Sequence, residues 1–334
     1  MWCAKLGSPF TAQLMAGLEH SLDRQTKTGR TILDWQGQSD ARGDAVALRL
    51  AGAFHALVRR GRLPDLAALY PPHALPCAEA LDAAVTAALF EADAEICDWL
   101  QFPPQTNEVA RSAVLYPGLM VIAAETKLPL ALHEIGASAG LNLIPDKYAY
   151  RLGEASLGAA ESAVNLSPQW SGVVPSGLEP TIVSRRGCDR NPIDVSDGAQ
   201  LERLISYVWP DQPERISRVE AAVKLFGDVE TEIDAADAAD WVEEMFEAPA
   251  MPGVVRVLFH SITYQYFPDG VQSRIATAMQ AAGRRATPEA PLAWLAFEQH
   301  QNEGPRLTLR LWPDGEMRVL AVADAHVRAV RWLS

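Results

Sequence analysis

Glu134, Ser138, Asp189, Asp237, His260 and Tyr264 are the side chains whose types and spacing could do chemistry. The first two share one stretch, Leu128 to Leu143. There a short apolar run meets His133-Glu134-Ile135 and then five small residues, Gly136-Ala137-Ser138-Ala139-Gly140. An apolar run bounded by small residues reads as a buried parallel strand that turns sharply into a helix. Small residues let the turn close and let a ligand approach the backbone, and the helix start supplies unpaired N–H groups. Two chemistries suit that geometry. One is a nucleophile elbow: residues 136–140 match G-x-S-x-G, with Ser138 as nucleophile, a downstream Asp as orienter and His326 as base. The other is a cofactor cradle.

The placement favours the cradle. An elbow follows several strands, one of them bearing an oxyanion loop, whereas a long helical stretch precedes this turn and no HGGG-like segment is present. Glu134-x-Gly136-x-Ser138-x-Gly140 resembles the E-x-G-x-G-x-G pattern of S-adenosylmethionine-dependent methyltransferases, with Ser138 replacing the middle glycine and Asn142 just beyond the turn. It is not G-x-G-x-x-G, and no acid follows about 20 residues on, as a dinucleotide site needs. Acids do follow later strand ends. Gly187-Cys188-Asp189-Arg190-Asn191-Pro192 resembles the G-x-D-x-N-P segment after strand two of such enzymes, where a carboxylate accepts both ribose hydroxyls. Asp237-Ala238, with Asp234 as the neighbouring candidate, falls where the same fold sets an acid beside adenine. Taken singly, each acid is equally a turn former or helix cap. Together they mark the carboxyl rim of a parallel sheet, where open α/β sheets bind ligands. His260 is a candidate general base, and Tyr264 a candidate for positioning a flat or cationic acceptor. A packed aromatic loop explains both equally well. Glu298 is a further rim candidate.

The elements that must hold these residues follow from periodicity. Residues 1–127 read as an all-helical domain: Phe10, Leu14, Leu18 and Leu22 recur at helical spacing, as do Val46, Leu50, Phe54, Leu57 and Val58. Thr106 or Asn107 is placed to cap a helix through Arg111, Leu115 and Leu119, with Glu108 in its first turn. From 128 to 334 strand and helix signals alternate, which predicts a Rossmann-like α/β domain with a mostly parallel sheet. Core strands are expected at 128–135, 180–185, 229–233, 254–259 and 291–298, an inserted strand at 147–152, and a closing antiparallel hairpin around Pro313-Asp314-Gly315.

The chain has 334 residues and a net charge of −13, which argues against a general nucleic-acid binder. Cys3, Cys77, Cys97 and Cys188 form no CxxC, so neither a zinc site nor a disulfide framework is expected, and His300 and His326 lack ligand spacing. No signal peptide and no membrane-length apolar run is seen, so the expectation is a cytoplasmic protein without membrane partners.

The blocks PQTNEVARSAVLYPGL, HEIGASAGLNL, RRGCDRNPID, YVWPDQPERISR, FHSITYQYFP and LWPDGEMR, in this order, resemble an uncharacterised bacterial protein family, a domain of unknown function. The resemblance spans nearly the whole chain and implies a class I methyltransferase-type fold with a helical N-terminal part. Arg111 lies in the first block and could reach the methionine carboxylate of S-adenosylmethionine; a surface ion pair is an equal account. The leading expectation is therefore an S-adenosylmethionine-dependent methyltransferase acting on a small molecule. Glu134, Gly136, Ser138, Gly140 and Asn142 would hold the methionine end, Asp189 the ribose, and Asp237 with Ala238 the adenine. A serine hydrolase using Ser138 and a non-catalytic binding or scaffold protein on the same fold are the rivals.

Overall fold

Strand β1, Leu130–Ile135, is buried along nearly its whole length, as expected of a central strand covered on both faces. It is the first strand among the described residues of the computed structural model, which are 2–40, 43–300 and 304–334. The later strands are β2 (Ala149–Leu152), β3 (Ala155–Gly158), β4 (Asn165–Leu166), β5 (Gln169–Ser171), β6 (Ile182–Asp189), β7 (Glu232–Ala235), β8 (Val255–Ser261), β9 (Leu292–Gln299), β10 (Pro305–Trp312), β11 (Met317–Ala323) and β12 (Ala329–Trp332). Nine of them form one sheet in the order β5-β12-β11-β10-β9-β8-β1-β6-β7. From β7 through β6, β1 and β8 to β9 every pairing is parallel. Pairings from β9 through β12 are antiparallel, including the expected β10–β11 hairpin, and β5 joins β12 in parallel. The fold is mixed α/β with a large, mostly parallel sheet.

Two compact units divide the chain, residues 1–106 with 194–220, and 107–193 with 221–334. The division is therefore not at 127/128. Helix Ser112–Thr126 belongs with the sheet because it packs on β9, β10 and β11. Gly118 gives it close approach, since a Cβ there would meet the Leu295 and Leu307 side chains at 2.9 and 3.1 Å.

In the other unit, Phe10, Leu14, Leu18, Leu50, Phe54 and Leu57 share one apolar core, as their spacing predicts. Ser8 caps helix Pro9–Ser21 by accepting from Thr11 N–H. Helix Gly198–Ser206, inserted in sequence between β6 and β7, joins this unit: His55 Nδ1 bonds Ser206 O at 3.1 Å, and Arg59 meets Glu202 at 3.0 Å.

The crossover from β1 to β6 differs from expectation. No α-helix follows the small-residue turn. Instead come the 3-10 turns Leu141–Leu143 and Pro145–Lys147, then a separate three-stranded sheet in the order β3-β2-β4. The physical reason is visible in LNLIPDKYAY: Pro145 removes a backbone donor four residues after Leu141, and Tyr148 and Tyr150 are committed to the interior. The other crossovers do carry helices, Ala238–Glu247 and Asp269–Gly283, which cover an apolar cluster with Ile135, Leu258, Ile275 and Leu292.

Candidate functional site

The parallel order reverses on either side of β1, with β6 on one flank and β8 on the other, so a crevice is expected beyond the carboxyl ends of these strands. The residues from 134 to 142 occupy that place. Gly136 (φ 67°) and Gly140 (φ 76°) adopt left-handed backbone, and a Cβ at Gly136 would lie 2.2 Å from Thr263 Oγ1. Ser138 shares the left-handed region at φ 55°, a strained setting for a residue with a side chain. Its N–H donates to Asp189 Oδ2 at 2.9 Å, while Asp189 Oδ1 accepts from Asn191 N–H at 2.9 Å. The last residue of β6 thus closes the turn after β1. The strand runs through Asp189, four residues beyond the predicted end at 185.

Two polar atoms at this turn have no hydrogen-bond partner among the described residues. Glu134, 1% exposed, leaves Oε2 without a hydrogen bond, and Ser138, 4% exposed, leaves Oγ without one. Buried groups of this kind are uncommon in native proteins and cost about 1–3 kcal/mol each. Burial pushes the Glu134 carboxyl well above the ordinary carboxylate range; the nearby Arg111 charge opposes that shift and Asp189 adds to it. Arg111 is held by its own acceptors, Nη1 donating to Ser261 O at 2.7 Å at the end of β8 and Nε to Ala325 O at 3.4 Å.

A polar bracket under the turn comes from the segment before helix Ser112–Thr126. Asn107 Oδ1 accepts from Leu141 N–H at 2.8 Å, and Asn142 Oδ1 accepts from Ser112 Oγ at 2.8 Å while its amide donates to Glu108 O at 3.4 Å. Asn142 is therefore a structural clasp, 1% exposed. Glu108 caps the 3-10 turn Val109–Arg111 by accepting from Ala110 N–H, and its Oε2 lies 3.2 Å from His326 Nδ1. The cap is thus Glu108 rather than Thr106 or Asn107. Asn107 and Glu108 are the site residues that sequence reasoning undervalued. A buried polar pair directly ahead of an almost wholly apolar helix was the available signal.

The remaining candidates are placed differently. Asp237 reaches the same rim, where Ala236 N–H bonds Asp189 O, but its carboxylate is held by Arg190 at 2.8 Å and caps helix Ala238–Glu247 through Ala239 N–H. Asp234 is bound by Arg186 and by Trp241 Nε1. Ala238 is buried. His260 is 1% exposed: Trp294 Nε1 donates to its Nε2 at 3.0 Å, so the ring proton sits on Nδ1, which donates to Glu298 Oε1 at 2.7 Å. Tyr264 stacks on that ring and donates its hydroxyl to Gln272 O at 2.7 Å. Burial alone works against ionisation of Glu298, yet its hydrogen bonds from His260 and from Thr263 and Tyr264 N–H hold the carboxyl below its ordinary range. Both residues expected to face an acceptor therefore have their polar atoms engaged within the chain.

Among the described residues no group of three His, Cys, Asp or Glu is placed to hold a metal ion, and no helix is long and apolar enough to cross a membrane. The family described as "Uncharacterized protein conserved in bacteria (DUF2332)" has a model that matches residues 1–332, and the chain belongs to that family. No curated protein and no solved structure matches the chain significantly.

Proposed function

We propose that this chain is an S-adenosylmethionine-dependent methyltransferase acting on a small-molecule acceptor, on a Rossmann-like fold of the class I methyltransferase type. One observation carries the reading: an acid at the end of β6 lies against the small-residue turn that ends β1, at the point where the strand order reverses. The strand order 3-2-1-4-5 of the parallel half supports it, since doubly wound sheets bind nucleotides there.

The residues fit such a ligand in three respects. Gly136 and Gly140 carry no side chain of their own and supply the left-handed backbone that the tight turn requires. Asp189 accepts one backbone N–H on each oxygen and retains lone pairs for ribose hydroxyls. Glu134 and Ser138 supply buried polar atoms that lack partners. The chemistry supplied by the ligand is a methyl group activated on a sulfonium. What the chain's own residues do is bind and orient: Asp189 selects a nucleoside, the turn admits it to the backbone, and the rim excludes water from the reacting centre. Neither His260 nor Tyr264 is assigned the proton-accepting role, because their polar atoms are already bonded.

A second reading, acyl hydrolysis by Ser138, is favoured by its left-handed φ and by the Glu108–His326 pair beyond β11, which runs in the same direction as β1. Against it, Ser138 Oγ has no hydrogen-bond partner among the described residues, so none of their histidines primes it.

Calorimetric titration with S-adenosylmethionine and S-adenosylhomocysteine tests the proposal. Micromolar binding is expected, weakened about tenfold or more by Asp189→Asn, a variant that still offers an acceptor to the turn. Absence of binding at millimolar ligand overturns it and leaves the non-catalytic scaffold. Covalent labelling of Ser138 by a fluorophosphonate supports the hydrolase instead.

A further inference from the structure

Resting on that reading, we propose that His326, held by Glu108, takes the proton from the methyl acceptor, and that the acceptor is a small molecule presenting a hydroxyl or an amine. The placement comes first. β11 runs in the same direction as β1, β8 and β9, so the loop that follows it, residues 324–328, opens on the same carboxyl rim as the turn after β1. Arg111 joins this loop to the one after β8, donating to Ala325 O at 3.4 Å and to Ser261 O at 2.7 Å. Within two residues of each carbonyl stands a β-branched residue in left-handed backbone, Val327 at φ 53° and Ile262 at φ 50°. With Ser138, they put three strained non-glycine residues beyond strand ends of one rim. Such backbone is uncommon for side chains of this shape, and it gathers at functional sites.

The loop after β11 fixes one side chain. Asp324 Oδ1 accepts from His326 N–H at 3.0 Å, and Oδ2 accepts from Arg328 N–H at 2.9 Å and from Ala329 N–H at 3.1 Å. The imidazole Nδ1 lies 3.2 Å from Oε2 of Glu108, which is 4% exposed. Glu108 O accepts in turn from the amide of Asn142, two residues past Gly140, so the pair stands one hydrogen bond from the small-residue turn. A carboxylate that accepts from Nδ1 keeps the ring proton there and leaves the lone pair on Nε2. In His260 the same nitrogen accepts from Trp294 and the ring is 1% exposed, whereas the His326 side chain keeps 16% of its surface in solvent. The buried carboxylate also stabilises the ring once a second proton arrives. Base chemistry selects the acceptor, because a carboxylate or thiolate attacks without losing a proton and a hydroxyl or amine must lose one. As the methyl group passes to the acceptor, the acceptor's O–H or N–H bond breaks and its electron pair stays on that atom. The pair of the broken carbon–sulfur bond stays on sulfur, and the proton ends on Nε2 of His326.

The test uses an affinity label, 5′-chloroacetamido-5′-deoxyadenosine, which has the adenosine of the proposed ligand and an electrophilic carbon just beyond the place of the sulfonium methyl. In the crevice that carbon meets the proton acceptor: a carbon–nitrogen bond to Nε2 forms and chloride leaves. Peptide mapping by mass spectrometry should find one adduct, on His326, suppressed by excess S-adenosylhomocysteine. Glu108→Gln keeps an oxygen beside Nδ1 but loses the charge, so labelling should slow about tenfold, and Glu108→Asp, which keeps the charge, should recover most of the rate. Mapping on the wild-type protein decides the question even where a variant fails to fold. An adduct on another residue, Ser138 included, an adduct that S-adenosylhomocysteine does not suppress, or none at all while S-adenosylhomocysteine binds overturns the proposal and leaves the cofactor reading standing. A labelling rate unchanged in Glu108→Gln overturns the part given to Glu108. Failure of S-adenosylhomocysteine to bind overturns the cofactor reading and this inference together.

Discussion

Trp294 donates its indole N–H to Nε2 of His260, and that single bond fixes the histidine as a neutral ring with its proton on Nδ1. Glu298 then becomes the hub, because Oε1 accepts from His260, Thr263 N–H and Tyr264 N–H. The loop after β8 is therefore anchored to β9 through one carboxylate. Thr263, inside that loop, abuts Gly136.

Removing the hub should be far worse than removing the donor. Glu298→Ala leaves three donors unpaired, the buried His260 and the half-buried Thr263 and Tyr264 N–H groups, and is expected to cost about 3 kcal/mol, whereas Trp294→Phe orphans one acceptor and should cost about 1–2 kcal/mol beyond its lost packing. Urea unfolding of the two variants gives the comparison; equal losses would show that packing of the indole, not the carboxylate network, anchors the loop.

The parallel strands were legible because their signals are local. VVRVLF and LPLALHEI are apolar runs of strand length, and the five core strands and the hairpin lie within a few residues of their predicted positions. What stayed hidden depended on partners remote in sequence. No local signal tells that helix Gly198–Ser206 joins the N-terminal unit, since the bond from His55 to Ser206 O spans 151 residues. The turn at 136–140 was legible as a turn, from its small residues. The missing helix after it was not, because LNLIPDKYAY is apolar enough to suggest one, and only Pro145 argues otherwise. At the site, Glu134 and Asp189 were singled out by resemblance to motif acids, and they lie at the carboxyl ends of β1 and β6. His260 looked chemical only because its two hydrogen-bond partners sit 34 and 38 positions further along.

Contact between Gly136 and Thr263 invites a double-mutant cycle. Gly136→Ala meets Thr263 Oγ1, Cγ2 and Cβ at 2.2, 2.7 and 2.8 Å and also occupies left-handed backbone at φ 67°. A loss of about 3 kcal/mol is expected, of which about 1 kcal/mol is backbone strain. Thr263→Gly removes the clash but not the strain, so the pair should show a coupling of about 2 kcal/mol in chemical denaturation. Strict additivity would mean that the loop after β8 moves aside freely.

Glu134 sets a pH dependence of one sign. Its carboxyl is raised by burial, so above the ordinary carboxylate range the unfolded chain has lost a proton that the folded chain retains. Stability from this group is full below about pH 4.5 and falls as pH rises. Glu134→Gln should therefore gain on the wild type as pH rises above the ordinary carboxylate range. A difference that does not change with pH would mean that Glu134 is ionised when folded.

His55 sets the opposite sign. Burial, only partly offset by its bond to Ser206 O, pushes its pKa down to about 4 from 6.5. Between these values the unfolded chain holds a proton that the folded chain lacks, so the stability contribution is full above about pH 6.5 and declines as pH falls towards 4. The stability difference between wild type and His55→Gln should accordingly shrink by about 2 kcal/mol between pH 7.5 and pH 5. Denaturation of both proteins at the two pH values measures it, and an unchanged difference would place a proton on the folded imidazole.

Ser138 separates the competing functions. It holds φ 55° with a buried hydroxyl that has no partner, two penalties that glycine removes. Ser138→Gly should raise stability by about 1–2 kcal/mol, since glycine tolerates the left-handed region and leaves no orphaned oxygen. If the turn cradles a nucleoside ligand, the substitution completes the three-glycine pattern and gives the ligand more room against the backbone, so S-adenosylhomocysteine should bind at least as tightly as to wild type. A nucleophile would show the reverse, with fluorophosphonate labelling lost and no gain in binding. Thermal unfolding, calorimetry and labelling on this one variant therefore distinguish a strained serine kept for its hydroxyl from a small residue kept for its size.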